Sequence, residues 1–315
     1  MLSEVGLGTS AFGNLFHEMS DHAAAETVDA SWASGVRYFD TAPHYGLGLS
    51  ESRLGDALRH HPRDEFVIST KVGRLLVPTP ERAHQQDDAE GFRVPAAYAR
   101  EWDFSRDGIL RSVEGSLERL GLDEVDILYL HDPDDHWAEA STTGINTLIE
   151  LRESGVVRAI GAGMNQSAML TEFVRRYDVD LVMLAGRYTL LDQSAAADLL
   201  PLAEERNVGV VAAGVYNSGL LARAEVPDGA KYEYRPASRH LVERAREIAA
   251  VCARYGVTLP DVAAQFPSRH RAVVSTVVGA RDGRQAVEGT ARFATPVPDE
   301  LWTELEHDDY LVARP

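Results

Sequence analysis

The sequence predicts a (β/α)8 barrel in a single domain that spans residues 1–315, and three observations support this prediction. Short runs rich in β-branched and apolar residues alternate with longer windows of helical periodicity. Eight such strand and helix units can be counted along the chain. The 315 residues show no linker and no change of composition, and this length fits a barrel of about 250 residues with added loops better than an open doubly wound sheet.

The predicted elements follow one another in units of similar length. Strands are predicted at residues 4–9, 38–40, 66–71, 126–131, 159–163, 181–184, 208–213 and 274–278. Helices are predicted at residues 21–33, 50–60, 105–120, 143–154, 167–177, 193–206, 239–255 and 260–266. Asp21 is expected to cap the first helix, Gly35 follows its end, and Ser105 is expected to cap the third helix.

Two connections are longer than a barrel requires. Residues 78–103 follow the strand that ends in Lys71, and residues 214–237 follow the seventh strand. Connections of this length within a compact domain usually serve a function. The first one is predicted to form a lid or a substrate-binding loop.

Polar residues stand at the C-terminal ends of several predicted strands. Asp40 ends the second strand, and Pro43 stiffens the turn that presents His44 and Tyr45. Three further polar residues end the next strands: Lys71, His131 and Asn165. Because active sites of such barrels are built where the strands end, these side chains are expected to meet at one face of the barrel.

These residue types suit the interconversion of a carbonyl and an alcohol. A tyrosine with a pKa near ~10 is a poor general acid or base at neutral pH until a cation lowers that pKa. Lys71 is the candidate cation, and Asp40 would keep it charged and oriented. His131 would direct a substrate oxygen toward Tyr45 by hydrogen bonding. Each of three members also has an ordinary structural explanation when it is taken singly. Lys71 fits a solvated strand end, His131 fits a histidine whose hydrogen bonds are satisfied beside Asp132, and Asn165 fits a turn former.

Composition limits the classes of partner. Lysine and arginine number 31 against 49 aspartates and glutamates, which gives a formal net charge of −18 and argues against nucleic acid or an anionic membrane surface. The single cysteine, Cys252, excludes an intrachain disulfide, and the sequence has neither a signal-like segment nor an apolar run of about 18 residues. These features favour a cytoplasmic protein that acts on a small molecule, and they leave the oligomeric state open.

Motifs distributed over nearly the whole chain resemble those of the aldo-keto reductases. The motifs are Asp40-Thr41-Ala42-x-x-Tyr45-Gly46, residues 51–55, Ser69-Thr70-Lys71, Leu128-Tyr129-Leu130-His131, Gly155-x-x-Arg158-x-Ile160-Gly161, Asn165, Ser218-Gly219-Leu220-Leu221 and Val278-Gly279-Ala280-Arg281. The resemblance implies hydride transfer at the nicotinamide ring of NAD or NADP, bound without a Rossmann domain. It also implies a catalytic tetrad, which consists of Asp40, Tyr45, Lys71 and His131.

The resemblance and the expected position of the barrel mouth extend the list of site residues. Those expected to bind the coenzyme are Asn165, Tyr188, Tyr216, Ser218, Gly219, Leu221, Gly279, Arg281, Gln285 and Glu288. Those expected to face the substrate are His44, Trp102 and Arg187. No metal ion is expected. A mouth lined by hydrogen-bonding side chains suits a polyol or another polar substrate.

Within the family, three stretches resemble a sugar-oxidising branch. They are Arg187-Tyr188-Thr189-Leu190-Leu191, the stretch from Tyr216 to Leu221, and Tyr232-x-Tyr234. That branch includes L-fucose, D-threo-aldose and L-galactose 1-dehydrogenases, so the resemblance implies oxidation of an aldose of the L-fucose, L-galactose or D-arabinose type at C1 to its lactone. A similar bacterial branch contains pyridoxal 4-dehydrogenases, and these stretches do not separate the two. A general aldehyde or ketone reductase is a further alternative.

Two departures from the family pattern affect the nicotinamide end of the coenzyme site. Ala213 and Gly214 stand where the family usually brings an aromatic ring and a serine over the nicotinamide, so Tyr216 or Tyr188 is expected to substitute. The glutamine usual before the Tyr188 position is replaced by Ala185. Asn165 is therefore expected to be the main side chain on the carboxamide.

The adenosine end departs from the pattern as well. Gln285 and Gly289 replace an arginine and an asparagine that many members carry, and Arg281 stands next to Asp282. A guanidinium favours the 2′-phosphate of NADP, whereas a carboxylate opposes it. The choice between NAD and NADP therefore stays open at this stage.

Two other classes of protein are compatible with parts of the sequence. A metal-dependent barrel hydrolase would use residues 131–136 as ligands, but the sequence has no His-x-His pair at an early strand end and no three ligands that converge by spacing. A cofactor-sensing binding subunit would keep the fold without turnover, as some members of the family do. The complete tetrad argues for an enzyme.

Overall fold

A closed barrel of eight parallel strands forms the centre of the protein in the computed structural model, which describes residues 2–312. The strands are β1 (Val5–Gly8), β2 (Tyr38–Asp40), β3 (Val67–Val72), β4 (Arg74–Pro78), β5 (Tyr98–Trp102), β6 (Ile127–His131), β7 (Ala159–Met164), β8 (Leu181–Ala185), β9 (Gly209–Ala213), β10 (Lys231–Tyr232), β11 (Arg235–Pro236) and β12 (Val273–Gly279). Around the barrel the order is β1-β12-β9-β8-β7-β6-β3-β2, and β2 pairs with β1 to close it. The predicted (β/α)8 barrel is confirmed.

The helices lie outside the barrel and connect its strands. They are α1 (Asp21–Ala33), α2 (Leu49–Leu58), α3 (Arg106–Leu120), α4 (Trp137–Glu139), α5 (Ile145–Glu153), α6 (Ser167–Arg176), α7 (Leu199–Arg206), α8 (Arg239–Arg254), α9 (Leu259–Gln265), α10 (Gly283–Ala291) and α11 (Asp299–His307). Among residues 2–312, none of these helices combines the length and the apolar character needed to span a membrane.

Several predicted boundaries need correction. Ser20, not Asp21, is the N-cap of α1, because its side chain accepts the backbone N–H of Ala23. The helix predicted at 193–206 is divided into a short 3-10 turn, Ser194–Ala197, and α7. The start of the helix predicted at 143–154 is a π-helical turn that joins α4 to α5. Helices α10 and α11 were not predicted, since the pattern at the C-terminal end was assigned only to the coenzyme site.

The two long connections contain structure of their own. Strands β4 and β5 pair antiparallel and form a hairpin that starts just after the strand of Lys71. The segment predicted as a lid, residues 78–103, begins at the last residue of β4 and contains β5, so β4 itself was not predicted. The second connection holds the small antiparallel pair β10 and β11. The alternation of β4 and β5 is obscured in the sequence by charged residues, because much of this hairpin faces solvent on one side.

Side chains that alternate along the barrel strands divide into an inward and an outward set. The inward set fills the lower barrel with Tyr38, Ile127, Tyr129, Leu181, Met183, Val211 and Val277. The outward set packs against the helices and forms the large core between the two layers. Because residues two apart share a face, Tyr38 predicts the direction of Asp40, and Tyr129 predicts that of His131. The strand ends therefore point their polar side chains into the mouth of the barrel.

A buried carboxylate links the helical layer to the strand that carries Lys71. Glu51 on α2 is fully buried, and it accepts hydrogen bonds from the Thr70 hydroxyl at 2.7 Å and from Arg119 Nε at 2.6 Å. A buried carboxylate is stable only when it is paired and hydrogen-bonded. Glu51 thus ties α2 to β3 and α3 and does not line the cleft described below.

Candidate active site

A cleft of about 910 Å³ opens at the C-terminal end of the barrel, where the sequence predicted the site. Every barrel strand contributes lining residues to it. In order around the barrel, the residues at the strand ends are Gly8, Gly279, Ala213, Ala185, Gly163, His131, Lys71 and Asp40. Tyr45, from the loop after β2, lines the same cleft.

Lys71 brings the predicted acid and the predicted phenol together. Its Nζ donates to Asp40 Oδ2 at 2.7 Å, to the Thr41 carbonyl at 2.9 Å and to the Tyr45 hydroxyl at 3.2 Å. These three acceptors match the three protons of an ammonium group, so its orientation is fixed. Lys71 and Asp40 are each 3% exposed. The pair is therefore preformed and shielded from water.

The electrostatics of this group differ from the sequence expectation in one respect. Burial alone would lower the pKa of Lys71, but Asp40 and Tyr45 outweigh it and raise the pKa, so the ammonium stays charged. Burial raises the pKa of Tyr45, Lys71 opposes this, and Asp40 adds to it; the net pKa is raised. The expectation that a cation brings this pKa below its ordinary value is thus corrected: Lys71 only offsets the larger effect of burial.

His131 lies beside Tyr45 as an uncharged imidazole. Burial lowers its pKa well below the ordinary range, and the cations Arg74 and Lys71 lower it further. Its ring centroid is 6.0 Å from that of Tyr45 and 5.5 Å from that of His44. The neutral ring can donate one hydrogen bond to a substrate oxygen without adding a charge. Its Nδ1 is buried and has no partner among the described residues.

A buried chain of hydroxyls supports Asp40 from below. Ser69 donates to Asp40 Oδ1 at 2.7 Å, and its Oγ lies 3.0 Å from the Tyr38 hydroxyl. That hydroxyl lies 3.3 Å from the hydroxyl of Tyr129. Gly6 on β1 makes room for the Tyr38 ring, since a Cβ there would come within 2.7 Å of it. Both carboxylate oxygens of Asp40 are consequently held, one by Lys71 and the other by this chain.

The hairpin of β4 and β5 holds the loop that carries His44. Arg100 donates to the His44 carbonyl at 3.0 Å and pairs with Asp87. Arg74 contacts the His44 ring, and its guanidinium stacks 4.3 Å from the ring centroid of Trp102. His44 and Arg187 line the cleft, as expected, whereas Trp102 is 40% exposed and does not.

The predicted coenzyme residues fall into two groups. Those that line the cleft are Asn165, Ser218 and Gly279. Those that do not are Tyr188, Tyr216, Gly219, Leu221, Arg281, Gln285 and Glu288.

The two tyrosines do not take the place of the missing aromatic ring. Tyr188 is 7% exposed and packs in the core against Phe266, with ring centroids 4.7 Å apart. The Tyr216 hydroxyl accepts a hydrogen bond from Arg292. Neither ring lines the cleft beside Ala213, so the expectation that one of them substitutes is corrected. The physical reason is that the apolar core outside the barrel buries Tyr188, while Tyr216 packs against that core and is partly buried.

The remaining residues outside the cleft have structural partners. Leu221 is fully buried in the core, and Gly219 adopts a positive φ in a turn. At α10 the side chain of Gln285 accepts the backbone N–H of Arg281, and Glu288 pairs with Arg284. Asp282 caps this helix by accepting the backbone N–H of Gln285.

The cleft has the shape and the free polar groups that a nicotinamide coenzyme needs. Five neighbouring strands each place a glycine or an alanine at its rim, which leaves space where a larger side chain would stand. A Cβ on Gly279, for example, would meet nothing closer than 3.8 Å. Nearby, the side-chain oxygen of Asn217 is buried without a partner among the described residues and lines the cleft. These residues fit the coenzyme that the sequence resemblance implies.

Three residues were not proposed as site residues from the sequence: Asp132 and Asn217, which line the cleft, and Arg74, which contacts Asp132. Asp132 follows His131 directly and has a φ of 40°, which is unusual for a residue other than glycine. Its position after a strand-end histidine was the available signal. Arg74 gave none, because it reaches the site only through the pairing of β4 with β5. Within residues 2–312, no three His, Cys, Asp or Glu side chains are arranged to hold a metal ion.

Comparison with known proteins identifies a family and several relatives to which this chain is similar. A family model described as the Aldo/keto reductase family matches residues 4–308. The chain is 48% identical to a D-threo-aldose 1-dehydrogenase from a Pseudomonas species, over 96% of this chain and 92% of that protein. It is 38% identical to a pyridoxal 4-dehydrogenase from Microbacterium luteolum, over 98% and 94% of the two chains.

A solved structure supports the same assignment. The holo form of an aldo-keto reductase from Bacillus halodurans superimposes on this chain with a TM-score of 0.75 at 26% identity, and the match covers 97% of this chain and 92% of that one. The family match, the sequence relatives and the barrel agree over almost the full length. The chain belongs to the aldo/keto reductase family and is an oxidoreductase that uses a nicotinamide coenzyme.

Proposed function

We propose that this enzyme oxidises an aldose at its anomeric carbon to the lactone, with NAD(P)+ as the hydride acceptor. The observation that carries the proposal is the contact of Lys71 Nζ with both Asp40 and Tyr45 in a cleft that also holds His131. The direction and the substrate class are supported by the relative at 48% identity, which is a D-threo-aldose 1-dehydrogenase. L-Fucose, L-galactose and D-arabinose are the proposed substrates.

Tyr45 is the proposed proton-transfer residue. In the oxidation its phenolate accepts the proton of the anomeric hydroxyl, and in the reverse reaction the phenol returns that proton. Lys71 stabilises the phenolate, because its ammonium donates a hydrogen bond to the Tyr45 oxygen. Asp40 keeps the ammonium in place through the 2.7 Å contact. The cation thus favours the charged form of Tyr45 against the opposing effect of burial.

His131 is the proposed donor to the substrate oxygen at the reacting carbon. Its ring is uncharged and buried, so its N–H is directed by the protein and not by water. Tyr45 and His131, whose rings pack together, would then both contact the substrate oxygen, one to accept its proton and the other to donate a hydrogen bond to it. His131 orients the hydroxyl so that its proton faces the phenolate and the C–H bond of the anomeric carbon faces the coenzyme side of the cleft.

The coenzyme residues are proposed from the cleft geometry. The nicotinamide end would lie against the rim of glycine and alanine, with Asn165 and Asn217 as the polar groups within reach and Ser218 farther along the cleft. When bound, this group supplies the site that accepts the hydride. Arg281, Gln285 and Glu288 lie outside the cleft around the start of α10, where they are proposed to contact the adenosine end. The preference between NAD and NADP is left to the experiment below.

A substrate panel tests the proposal. L-Fucose, L-galactose, D-arabinose, pyridoxal and simple alcohols are each combined with NAD+ or NADP+, and NAD(P)H absorbance is followed. We expect an aldose to give the highest kcat/KM and a product two hydrogens lighter by mass spectrometry, which then opens slowly to the aldonate. Pyridoxal is the second candidate because of the relative at 38% identity. If pyridoxal is oxidised with a far higher kcat/KM than every aldose, the sugar assignment is wrong.

A further inference from the structure

Arg74 connects two side chains that line the cleft but take no part in proton transfer. Its Nη2 donates to Asp132 Oδ2 at 2.7 Å, and its Nη1 lies 3.3 Å from His44 Nδ1. Its guanidinium is held from behind by stacking on Trp102. The Arg74 side chain is 14% exposed, so these contacts are shielded from bulk water. The hairpin thereby orders one residue on each side of His131.

The contact with Arg74 fixes the tautomer of His44. A guanidinium carries only donors, so Nη1 donates and Nδ1 of His44 must accept. Burial, together with the cations Arg74 and Arg100, lowers the pKa of His44 to about 2, and the ring is therefore neutral at any ordinary pH. A neutral imidazole whose Nδ1 accepts carries its proton on Nε2. That atom lies 3.9 Å from Glu90 Oε2, at the side of the cleft that Glu90 also lines.

Asp132 supplies the complementary group. Asp132 accepts from Arg74 through Oδ2, and the residue lines the cleft, so its carboxylate still has acceptor capacity for a further donor. Its Oδ2 lies 3.6 Å from His131 Nε2, which places it directly beside the proposed donor to the reacting oxygen. The backbone of Asp132 is left-handed, and its N–H donates to the Gly163 carbonyl at 3.0 Å. The carboxylate is thus fixed at this position by its backbone as well as by Arg74.

We propose that His44 and Asp132, both positioned by Arg74, recognise the hydroxyl next to the reacting one, so the enzyme requires a 2-hydroxy aldose. This inference rests on the proposed function and narrows its substrate class. A hydroxyl is both a donor and an acceptor. His44 Nε2–H offers the donor that such a group needs, and the Asp132 carboxylate offers the acceptor. The rings of His44 and His131 are 5.5 Å apart, so two neighbouring oxygens of one sugar can reach both residues.

The test compares each aldose with its 2-deoxy form. L-Fucose is paired with 2-deoxy-L-fucose and D-arabinose with 2-deoxy-D-arabinose, and kcat/KM is measured for each with NAD+ and NADP+. Hydrogen bonds to charged groups contribute about 1.5–3 kcal/mol, so loss of the hydroxyl should lower kcat/KM in the unmodified enzyme about 10- to 100-fold. In Arg74→Met, the ratio of kcat/KM for an aldose to kcat/KM for its 2-deoxy form should fall below about threefold, because His44 and Asp132 are no longer positioned by Arg74.

A second variant removes the acceptor without straining the chain. Glycine adopts a positive φ at no cost, so Asp132→Gly should fold even though Asp132 is left-handed. Asp132→Gly should also reduce the ratio of kcat/KM between an aldose and its 2-deoxy form, mainly through a higher KM for the 2-hydroxy sugar. Arg106→Met is the matched control, since Arg106 pairs with Glu150 on the protein surface and lies outside the cleft. In Arg106→Met, the ratio of kcat/KM between an aldose and its 2-deoxy form should equal that of the unmodified enzyme.

The outcomes separate the two levels of inference. If the unmodified enzyme prefers the 2-hydroxy sugars and both variants lose that preference, the recognition by His44 and Asp132 is supported. If a folded Arg74→Met or Asp132→Gly enzyme keeps the full ratio, this inference is wrong and the proposed function stands. If neither aldose is oxidised at all, the proposed function itself is wrong.

Discussion

The rim of the barrel divides into two halves that have opposite chemistry. At or next to the C-terminal ends of β2, β3 and β6 stand the charged or polar residues Asp40, Lys71 and His131. The corresponding positions of the other five strands hold the small residues Gly8, Gly279, Ala213, Ala185 and Gly163. In the first half, Asp40, Lys71 and Tyr45 are joined by hydrogen bonds, and His131 packs beside Tyr45. The second half contributes mainly space and backbone.

In the proposed function, one rigid scaffold serves two tasks. Proton transfer needs side chains held within hydrogen-bond distance, which the buried strand ends would provide. Binding of the flat nicotinamide ring needs a surface without projecting side chains, which the glycine and alanine positions would provide. A third region, the hairpin with the loops around it, carries the residues proposed to read the substrate. The predictions below alter one half of the rim at a time.

The largest expected effect comes from Tyr45→Phe in the reactive half. The change removes one oxygen that faces the cleft, and the fold should be unaffected. General acid–base catalysis is typically worth about 10²–10⁴-fold, so kcat for aldose oxidation should fall by that order while coenzyme affinity is retained. Tyr98→Phe, on the half-exposed outer hairpin, is the matched control. A Tyr45→Phe enzyme with nearly full kcat would contradict the assignment of the proton-transfer residue.

Lys71→Met should lower the rate and move its pH dependence. Oxidation needs the deprotonated form of Tyr45, so the rate rises as pH increases toward the raised pKa of that residue. Because Lys71 lowers this pKa, removing it raises the pKa further and shifts the rise to higher pH. The measurement is kcat against pH between about pH 6 and pH 10. An unchanged profile would show that Lys71 does not act on the phenol.

Stability is a necessary control for this variant. Asp40 would remain buried without its partner, and breaking a buried ion pair typically costs about 3–5 kcal/mol. The double variant Asp40→Asn with Lys71→Met removes both charges and should recover part of the loss in Tm. If the double variant is no more stable than Lys71→Met, the buried pair does not determine the stability of this region.

Gly279→Leu tests the half of the rim made of small residues. A Cβ at this position meets nothing within 3.8 Å and the backbone has an ordinary φ, so the fold should accept the change. The larger side chain fills the cleft instead, and crowding of this kind costs about 1–3 kcal/mol, which corresponds to a Kd for the coenzyme that is weaker by about 5- to 150-fold. Fluorescence quenching measures the Kd. Val274→Leu, on the exposed part of the same strand, should leave it unchanged.

Ser69→Ala should have the smallest effect, because it touches the reactive group only through Asp40. It removes the 2.7 Å hydrogen bond to Asp40 Oδ1 and leaves the contact with Lys71. A hydrogen bond to a charged group contributes about 1.5–3 kcal/mol, so kcat should fall about tenfold and Tm should decrease. Ser112→Ala is the matched control, since that buried hydroxyl has no partner among the described residues. Equal losses in both variants would argue against a role for this chain of hydroxyls.

Local patterns predicted the barrel and its reactive half well. The strands that carry Asp40, Lys71 and His131 are short runs with a polar residue at or next to the C-terminal end, and alternation along each strand fixes the direction of that residue. Since parallel strands in a barrel share one end, the sequence order alone brings the three together. The same reasoning failed for Tyr188 and Tyr216. Their position depends on how the loops beyond β8 and β9 turn, and no local pattern records that turn.

The sequence by itself determined the barrel, the coenzyme class through the family motifs, and the grouping of Tyr45 with Asp40, Lys71 and His131, because each of these depends on periodicity or on residues close in the chain. The tertiary structure alone decided the net pKa of Tyr45, the burial of Tyr188, and the network of Arg74, His44 and Asp132. These depend on desolvation and on contacts between residues as much as 58 positions apart. Such contacts join residues from separate loops and strands, and a pattern read along the sequence does not record which of them meet.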